Sequence, residues 1–252
     1  MRKVFLHIFS GTGGLSQALA AHGIAVVNVD TAIHPSLDIL DDRIFRLLGG
    51  WVSSGKVAGM WVGTPCNSFS RARRGKPRPD GRGMPTQLRS AIFPDGLPHL
   101  ERANDVQAVR LGNALASRAR HLLSIAEFRK LPSAEENPFQ SFLWSLHSRN
   151  KSEQHHDHKV DYCFFGTAWR ARTRIRTHSW SWSHAPPCCC GRGVCSFSGL
   201  PHDQLSGSAP QHRGFKTKLK QAYPIGLCKS LAKDLSHAML QTRVAQMWSQ
   251  LI

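Results

Sequence analysis

The chain has 252 residues, of which 41% are hydrophobic, which is enough to bury one well-filled domain with a small appendage and excludes disorder throughout. Lysine and arginine number 33 against 16 acidic residues, a formal net charge of +17. Because a polyanion releases condensed counterions when it binds such a protein, we expect nucleic acid as the partner, with a membrane surface as the weaker alternative. No apolar run approaches membrane-spanning length.

The seven cysteines are an odd number, and four of them crowd into residues 188–195. A disulfide framework is improbable with this distribution, so we expect a reducing intracellular compartment, either nucleus or cytoplasm. We also expect the chain to act as a monomer.

The first half of the chain alternates between buried-strand and helical patterns. Strands are predicted at residues 4–9, 24–30, 57–62 and 131–136, and helices at residues 15–22, 41–52 and 101–130, the last as one or two long helices. This alternation predicts an α/β fold with a mostly parallel sheet. Further along, residues 161–166 and 173–180 are predicted to pair as a closing hairpin, and residues 223–241 to form a terminal helix.

Two stretches have neither pattern. Residues 71–100 are rich in Arg, Gly and Pro, and a loop of that length in a compact domain is usually functional or disordered. Its position directly after Cys66 favours function. His155, His156 and His158 lie among polar residues, and we expect them on a solvated loop.

The segment Phe9-Ser10-Gly11-Thr12-Gly13-Gly14 joins the first predicted strand to the first helix. Its glycines permit a tight turn and the close approach of a ligand to the backbone at a helix N-terminus. The spacing lacks the full dinucleotide fingerprint and the lysine of a phosphate loop, which disfavours nicotinamide cofactors and nucleoside triphosphates. Asp30 ends the next strand, where a carboxylate either accepts hydrogen bonds from ribose hydroxyls or caps a helix.

Cys66 follows an apolar strand at a turn stiffened by Pro65, so its thiol is expected to face a cleft. The turn Glu136-Asn137-Pro138 follows a later strand of the same predicted sheet and would place a carboxyl group opposite. The pair suggests a nucleophilic cysteine and a carboxyl group that holds a nucleobase. The alternative for Cys66 is an unreactive cysteine that fills space in the core. Strand alternation allows either Glu136 or its neighbour Glu135, but not both, to face the cleft.

In chain order these segments resemble the cytosine-5 DNA methyltransferase family, in a short variant similar to the methylase-like proteins of phages and retroelements. The resemblance covers roughly residues 1–180 and is strongest at Pro65-Cys66-Asn67-Ser68-Phe69-Ser70. It implies a Rossmann-like methyltransferase fold that binds S-adenosylmethionine. The implied cofactor-binding residues are Phe9, Gly11, Thr12, Gly13, Asp30, Asp38 and Pro65.

The resemblance also implies the catalytic residues. Cys66 would add to carbon 6 of cytosine, Glu136 would hold the ring near nitrogen 3, and Arg174 lies in a segment similar to the family's arginine motif. Because the ring carbon is inaccessible in a duplex, the base must be flipped out or presented single-stranded. The expected nucleic-acid contacts are Arg71, Arg73, Arg74, Arg78, Arg172 and Arg176.

Three parts are therefore expected: a catalytic domain over residues 1–180, a small Cys- and His-rich recognition lobe over residues 181–222, and a helix over residues 223–252 that packs back on the catalytic domain. The lobe is too small for an ordinary target-recognition domain. Its cysteines are interpreted as unligated thiols, with a zinc site at Cys190, Cys195 and His202 as the less favoured alternative. Methylation of RNA, tRNA in particular, and a catalytically silent nucleic-acid-binding protein are the alternative functions.

Overall fold

A six-stranded sheet forms the centre of the molecule. The computed structural model describes residues 3–71, 73, 85–146, 154–183, 186–190, 193–205, 208–209, 214–215 and 221–248. The strands are β1 (Val4–Ile8), β2 (Val26–Val29), β3 (Val57–Val62), β4 (Ser133–Pro138), β5 (His155–Asp161) and β6 (Arg172–His178). Their order is β2-β1-β3-β4-β6-β5. β1 to β4 are parallel, whereas β6 is antiparallel to both of its neighbours.

Helices cover both faces of this sheet. They are α1 (Gly14–Ala21), α2 (Asp42–Ser53), α3 (Ala103–Phe128), the single-turn α4 (Leu143–Leu146) and α5 (Ile225–Trp248). A 3₁₀ turn (Tyr162–Phe165) follows β5, and two-residue strands β7 (Ser208–Ala209) and β8 (Gly214–Phe215) form a separate pair. The chain is thus a mixed α/β protein with a mostly parallel sheet, as the alternating pattern predicted.

Each face of the sheet has its own apolar core, because the strands are buried on both sides. One core joins Phe5 and Trp61 of the strands to α1 and α5, and the other joins Leu6 and Met60 to α2 and α3. Alternate residues of β1 and β3 therefore point into different cores. α5 packs directly against α1, where the Cys228 sulfur lies beside Gly14.

The strand order of the sheet has a switch point at β1, because the next two strands of the chain lie on opposite sides of it. β2 is added on one side of β1 and β3 on the other, so β1 and β3 flank the topological switch point. In open α/β sheets ligands bind outside the carboxyl ends of the strands at such a point. The segments that leave β1 and β3 at this edge are Phe9–Gly14 and Gly63–Cys66.

The predicted closing hairpin is right in kind but wrong in position. Its first strand is β5, which ends at Asp161, and the residues after it form the 3₁₀ turn. His155, His156 and His158 consequently lie in a strand and not on a solvated loop, and His155 and His158 are buried. Hydrogen bonds make this possible: His155 contacts Glu127 at 3.0 Å and His158 contacts Thr177 at 3.1 Å.

The long helical pattern forms one helix, α3, of 26 residues. Within the described parts of the chain, no helix combines the length and apolar character that crossing a membrane requires.

Candidate active site

The glycine-rich segment after β1 forms an open turn at the switch point. Phe9, Gly11 and Gly13 all have positive φ, at 57°, 53° and 72°, and Gly13 is the N-cap of α1. A Cβ built on Gly11 or Gly13 would meet no atom within 4 Å, so the backbone borders open space. The hydroxyl of Ser10 is buried and has no hydrogen-bond partner among the described residues. Thr12 is exposed at the tip of the turn.

Asp30 connects this turn to the end of β2. Its Oδ2 accepts the Gly11 N–H at 2.8 Å, and its Oδ1 accepts the Ala32 N–H at 2.8 Å. Each carboxylate oxygen retains a second lone pair. Asp38 lies further along the same edge, and its Oδ1 accepts the Leu40 N–H at 2.8 Å in a local turn. The segment therefore offers amide groups, a carboxylate and an unpaired hydroxyl around one open space.

Cys66 is held by contacts between its turn and β4. Thr64 Oγ1 donates to Glu135 Oε1 at 2.8 Å, and Asn137 Nδ2 donates to the Thr64 carbonyl at 2.6 Å. All three of these side chains are buried. Pro65 and Cys66 are half-buried, and the Cys66 carbonyl accepts the Phe69 N–H at 3.0 Å, which closes the turn. Asn137 thus ties β4 to the Cys66 turn.

Arg89, a residue that sequence reasoning missed, anchors the segment after Cys66. It is fully buried, and its guanidinium stacks 3.9 Å above the Phe69 ring. One NH group donates to Pro94 O at 2.6 Å and Asn113 Oδ1 at 2.7 Å, and the other donates to Ser68 Oγ at 2.9 Å and Val109 O at 3.2 Å. Its position in an Arg-rich stretch gave no signal that this arginine is internal.

The two adjacent glutamates of β4 point to opposite faces of the sheet. Glu135 lies with Thr64 on the α3 side, whereas Glu136 lies on the α5 side. Thr173 Oγ1 donates to Glu136 Oε1, and the Tyr223 hydroxyl donates to Glu136 Oε2 at 2.9 Å. Tyr223 in turn accepts the Trp61 indole N–H at 3.2 Å. Both carboxylate oxygens of Glu136 are therefore oriented by hydroxyl groups.

The turn that carries Cys66 adjoins the residues that hold Glu136. A Cβ built on Gly63 would lie 3.0 Å from the Tyr223 hydroxyl, which donates to Glu136. Asn137, the neighbour of Glu136 in β4, donates to the Thr64 carbonyl of the same turn. The structure thus places the Cys66 turn beside β4 at the carboxyl edge of the sheet, and the catalytic roles of Cys66 and Glu136 stay predictions. Tyr162, which sequence reasoning missed, is buried near this site, and burial together with the charge of Glu136 raises its pKa well above the usual value.

The three arginines of β6 lie on the opposite face of the sheet from Glu136. Glu136 is the cross-strand partner of Ile175, so Arg174 and Arg176 on either side of Ile175 point the other way. Arg172 is paired with buried Asp161 at 2.7 Å and Arg176 with Asp157 at 2.7 Å. Their contacts with nucleic acid stay a prediction, and these pairs must open first if phosphate is to replace the carboxylates.

Arg174 packs among aromatic rings. Its guanidinium lies 5.0 Å from the Phe139 ring and 5.1 Å from the Trp144 ring, and its closest carboxylate oxygen, on Asp157, is 3.8 Å away. Burial lowers the pKa of Arg174, although Asp157 opposes this shift. The structure does not place Arg174 beside Glu136, and its catalytic role stays a prediction.

Two of the arginines expected to contact nucleic acid from the loop of residues 71–100 have defined positions. The Arg71 guanidinium lies 4.9 Å from the Phe142 ring. Arg73 donates to Thr86 O at 3.0 Å and to Asp105 at 3.3 Å, so the loop is tied to α3. Arg74 and Arg78 lie outside the described residues.

Two of the three residues considered as zinc ligands from the sequence lie in one cluster, and the third does not. Cys195 and His202 belong to a group of four ligand atoms with Cys163 and Cys188, and all four atoms lie within 4.8 Å of one another. Cys190 packs beside this group and is not part of it. Sequence reasoning missed Cys163 because it lies in the 3₁₀ turn, far along the chain from the other cysteines.

No known family model matches the chain, and no curated protein is similar to it. Among solved structures, the chain is similar to a methyltransferase of Entamoeba histolytica, at 11% sequence identity and a TM-score of 0.35. The match covers 83% of this chain and 62% of the other, so the chain spans less than two thirds of that protein's length. A likeness this weak is no basis for assigning an activity.

Proposed function

We propose that the chain is a DNA (cytosine-5)-methyltransferase, which transfers a methyl group from S-adenosylmethionine to carbon 5 of cytosine through a covalent adduct at Cys66. The observation that carries the proposal is that the Cys66 turn adjoins β4: Gly63 lies against the Tyr223 hydroxyl that donates to Glu136, and Asn137 donates to the Thr64 carbonyl. A thiol and a carboxylate at the switch point of an α/β sheet lie where such folds bind ligands and perform chemistry.

S-adenosylmethionine fits the residues that follow β1 and β2. Its ribose needs a hydrogen-bond acceptor, which Asp30 provides, and its amino-acid part needs open backbone of the kind found at Gly11 and Gly13. The unpartnered Ser10 hydroxyl is a further polar group for the ligand. The residues proposed to hold it are Phe9, Gly11, Thr12, Gly13, Asp30, Asp38 and Pro65. When bound, it supplies a methyl group activated by a positively charged sulfur.

Cys66 overcomes the low reactivity of cytosine carbon 5. Its thiolate forms a bond to carbon 6, which turns the ring into an enamine whose carbon 5 is nucleophilic. Carbon 5 would take the methyl group as the methyl–sulfur bond of the bound S-adenosylmethionine breaks, which leaves S-adenosylhomocysteine. Solvent water would then remove the proton from carbon 5, and the electron pair of that C–H bond would restore the double bond between carbons 5 and 6 and expel Sγ. The reaction exchanges one hydrogen for a methyl group and returns Cys66 as a thiolate.

Glu136 holds the cytosine ring during this addition. Its carboxyl group lies near ring nitrogen 3 and the exocyclic amine in the proposed complex, where it offsets the charge that develops in the ring. Thr173 and Tyr223 each donate a hydroxyl hydrogen bond to it, so its orientation is fixed before the base arrives.

The net charge of +17 supports a nucleic-acid substrate. Because carbons 5 and 6 are stacked in a duplex, DNA must be bound with the base flipped out or as a single strand. RNA presents the same ring atoms to the same catalytic residues, so DNA and RNA must be compared directly.

The test is transfer of tritiated methyl from S-adenosylmethionine to duplex DNA, single-stranded DNA and tRNA. Wild type is compared with Cys66→Ala and with Cys189→Ala, which replaces an exposed cysteine outside the proposed site. The expected result is label at cytosine carbon 5 in DNA with wild type and Cys189→Ala, and none with Cys66→Ala.

Other outcomes overturn the proposal in different ways. Label on tRNA alone, lost in Cys66→Ala, replaces DNA by RNA as the substrate. Label that persists in Cys66→Ala contradicts the covalent mechanism. Binding of DNA without label on any substrate favours a catalytically silent binding protein.

A further inference from the structure

Four soft ligand atoms meet in a buried cluster outside the proposed active site. They are the sulfurs of Cys163, Cys188 and Cys195 and a ring nitrogen of His202, all within 4.8 Å of one another. The three cysteines are each at most 5% exposed. The Cys188 sulfur is 3.9 Å from the Cys195 sulfur and 3.8 Å from His202 Nε2, and the Cys163 sulfur lies within 4.8 Å of both other sulfurs.

The separations of 3.9 Å between the Cys188 and Cys195 sulfurs and 3.8 Å between the Cys188 sulfur and His202 Nε2 are close to the edge lengths of a tetrahedral zinc site. With zinc–sulfur bonds of about 2.3 Å and a zinc–nitrogen bond of about 2.1 Å, neighbouring ligand atoms of a tetrahedron lie roughly 3.6–3.8 Å apart. Three thiolates and one imidazole are a common ligand set for structural zinc. A site that already uses four protein ligands leaves no open position for catalysis.

Two separate segments of the chain converge to build the cluster. Cys163 comes from the 3₁₀ turn after β5, whereas the other three ligands come from residues 188–202. An isolated antiparallel bridge joins Val194 to Pro201, so Cys195 and His202, each next to a bridge residue, lie on the same face of this bridge. The Cys195 N–H also donates to Leu200 O at 2.9 Å. Six residues separate Cys188 from Cys195, and six separate Cys195 from His202.

The groups around the cluster hold its ligands in place. Asp161 accepts the Cys188 N–H at 2.8 Å, and Arg170 donates to the Cys188 carbonyl at 3.1 Å. Ser196 Oγ lies 3.4 Å from the Cys188 sulfur, as a hydrogen-bond donor to a thiolate would. Arg170 and Arg172 both pair with Asp161, which leaves positive charge beside three potential thiolates.

We propose that Cys163, Cys188, Cys195 and His202 bind one zinc ion that fastens the segment after residue 186 to the end of β5. The ion carries two positive charges against three thiolates, and the neighbouring arginines offset the remaining negative charge. Among the described residues of this segment, the large apolar side chains Val194, Phe197 and Leu200 are exposed, and the buried cluster consists of cysteines. A metal ion that joins these cysteines would stabilise a segment with so little buried apolar core.

The metal itself is the first probe. The zinc content of the purified full-length protein is measured by inductively coupled plasma mass spectrometry. The protein is then stripped of metal and titrated with cobalt(II). We expect about one zinc per chain, and cobalt spectra with the strong visible bands of a tetrahedral site and thiolate-to-metal charge transfer. The charge-transfer intensity should correspond to about three thiolates.

Cysteine variants identify the ligands. Cys163→Ser and Cys195→Ser remove proposed ligands, whereas Cys189→Ser and Cys190→Ser are matched controls in the same Cys-rich segment. We expect the first pair to lose zinc and the thiolate–cobalt band, and the controls to retain both. If the first pair does not fold, cobalt titration of wild type with thiol counting still tests the site, since three thiols should become protected on binding.

Three results would overturn the proposal. The first is wild-type protein without zinc that gives no tetrahedral cobalt spectrum. The second is a disulfide between Cys188 and Cys195 in protein purified under reducing conditions. The third is zinc loss in Cys190→Ser that equals the loss in Cys163→Ser. None of these readouts depends on methyl transfer.

Discussion

The buried histidine of β1 makes the stability of the fold depend on pH. His7 is 1% exposed, and its Nδ1 lies 2.7 Å from Ser16 Oγ. Ser16 Oγ donates its one proton to Asn28 Oδ1 at 2.5 Å, so it must accept the N–H of His7. Burial lowers the pKa of His7 from 6.5 to about 4, although the charge of Asp30 opposes the shift.

The direction and size of the effect follow from this pKa. A histidine with a lower pKa in the folded state binds protons more readily in the unfolded chain, so its contribution is complete above pH 6.5 and is lost as pH falls towards 4. At about 1.36 kcal/mol per pKa unit, protonation of the unfolded chain should lower the free energy of unfolding by about 2 kcal/mol between about pH 7.5 and about pH 5.

Urea unfolding across this pH range measures the effect. His7→Asn is the comparison, because the asparagine amide can donate to Ser16 but does not titrate. The variant should be less stable than wild type at neutral pH, and its free energy of unfolding should lack the part of the pH dependence that comes from His7. Wild type should then lose about 2 kcal/mol more than the variant on acidification. Equal losses in the two proteins would refute the assignment of a neutral, buried His7.

Three further predictions concern the site. Tyr223→Phe removes a hydrogen-bond donor to Glu136, so it should lower the free energy of unfolding by about 1–3 kcal/mol and reduce the rate of methyl transfer. An unchanged urea midpoint together with an unchanged rate would contradict this prediction. Arg89→Lys should lower the free energy of unfolding by about 2–4 kcal/mol, because an ammonium group cannot make the four hydrogen bonds of the guanidinium, one of them to Ser68. A free energy of unfolding within about 0.5 kcal/mol of wild type would contradict this prediction. Gly13→Ala places an alanine in the left-handed region of φ and should lower the free energy of unfolding by about 1–2 kcal/mol. It should also weaken S-adenosylmethionine binding measured by calorimetry. An unchanged affinity would argue against the open turn as the binding site.

The parallel half of the fold was predictable because its signals are local. Buried strands such as β1 and β3 are continuous apolar runs, and the glycines before α1 mark the turn. Strand alternation allowed only one of the two adjacent glutamates to face the cleft, and the family resemblance favoured Glu136. The structure places their side chains on opposite faces of β4, where Glu136 binds Tyr223, a partner more than eighty residues away that no local pattern could indicate.

The remaining features were missed because distant partners override local patterns. β5 is full of polar residues, which suggested solvent, but Glu127 of α3 satisfies His155 in the interior. Arg89 belongs to an Arg-rich stretch, which suggested the surface. In the fold, hydrogen bonds to a backbone carbonyl and an asparagine of α3 offset part of the free energy needed to remove its guanidinium from water. Cys163 joins the other metal-ligating residues only through the path of the 3₁₀ turn.

Covalent trapping of Cys66 tests the central proposal most directly. The protein is incubated with S-adenosylmethionine and an oligonucleotide that contains 5-fluorocytosine, in which fluorine replaces the hydrogen at carbon 5. After methyl transfer no proton remains for a base to remove, so the Cys66 thiolate is not expelled and the chain stays joined to the oligonucleotide. We predict an intact mass equal to protein plus methylated oligonucleotide, with the modified peptide carrying Cys66. No adduct with wild type, an adduct on another cysteine, or an equal yield with Cys66→Ala would contradict the proposed mechanism.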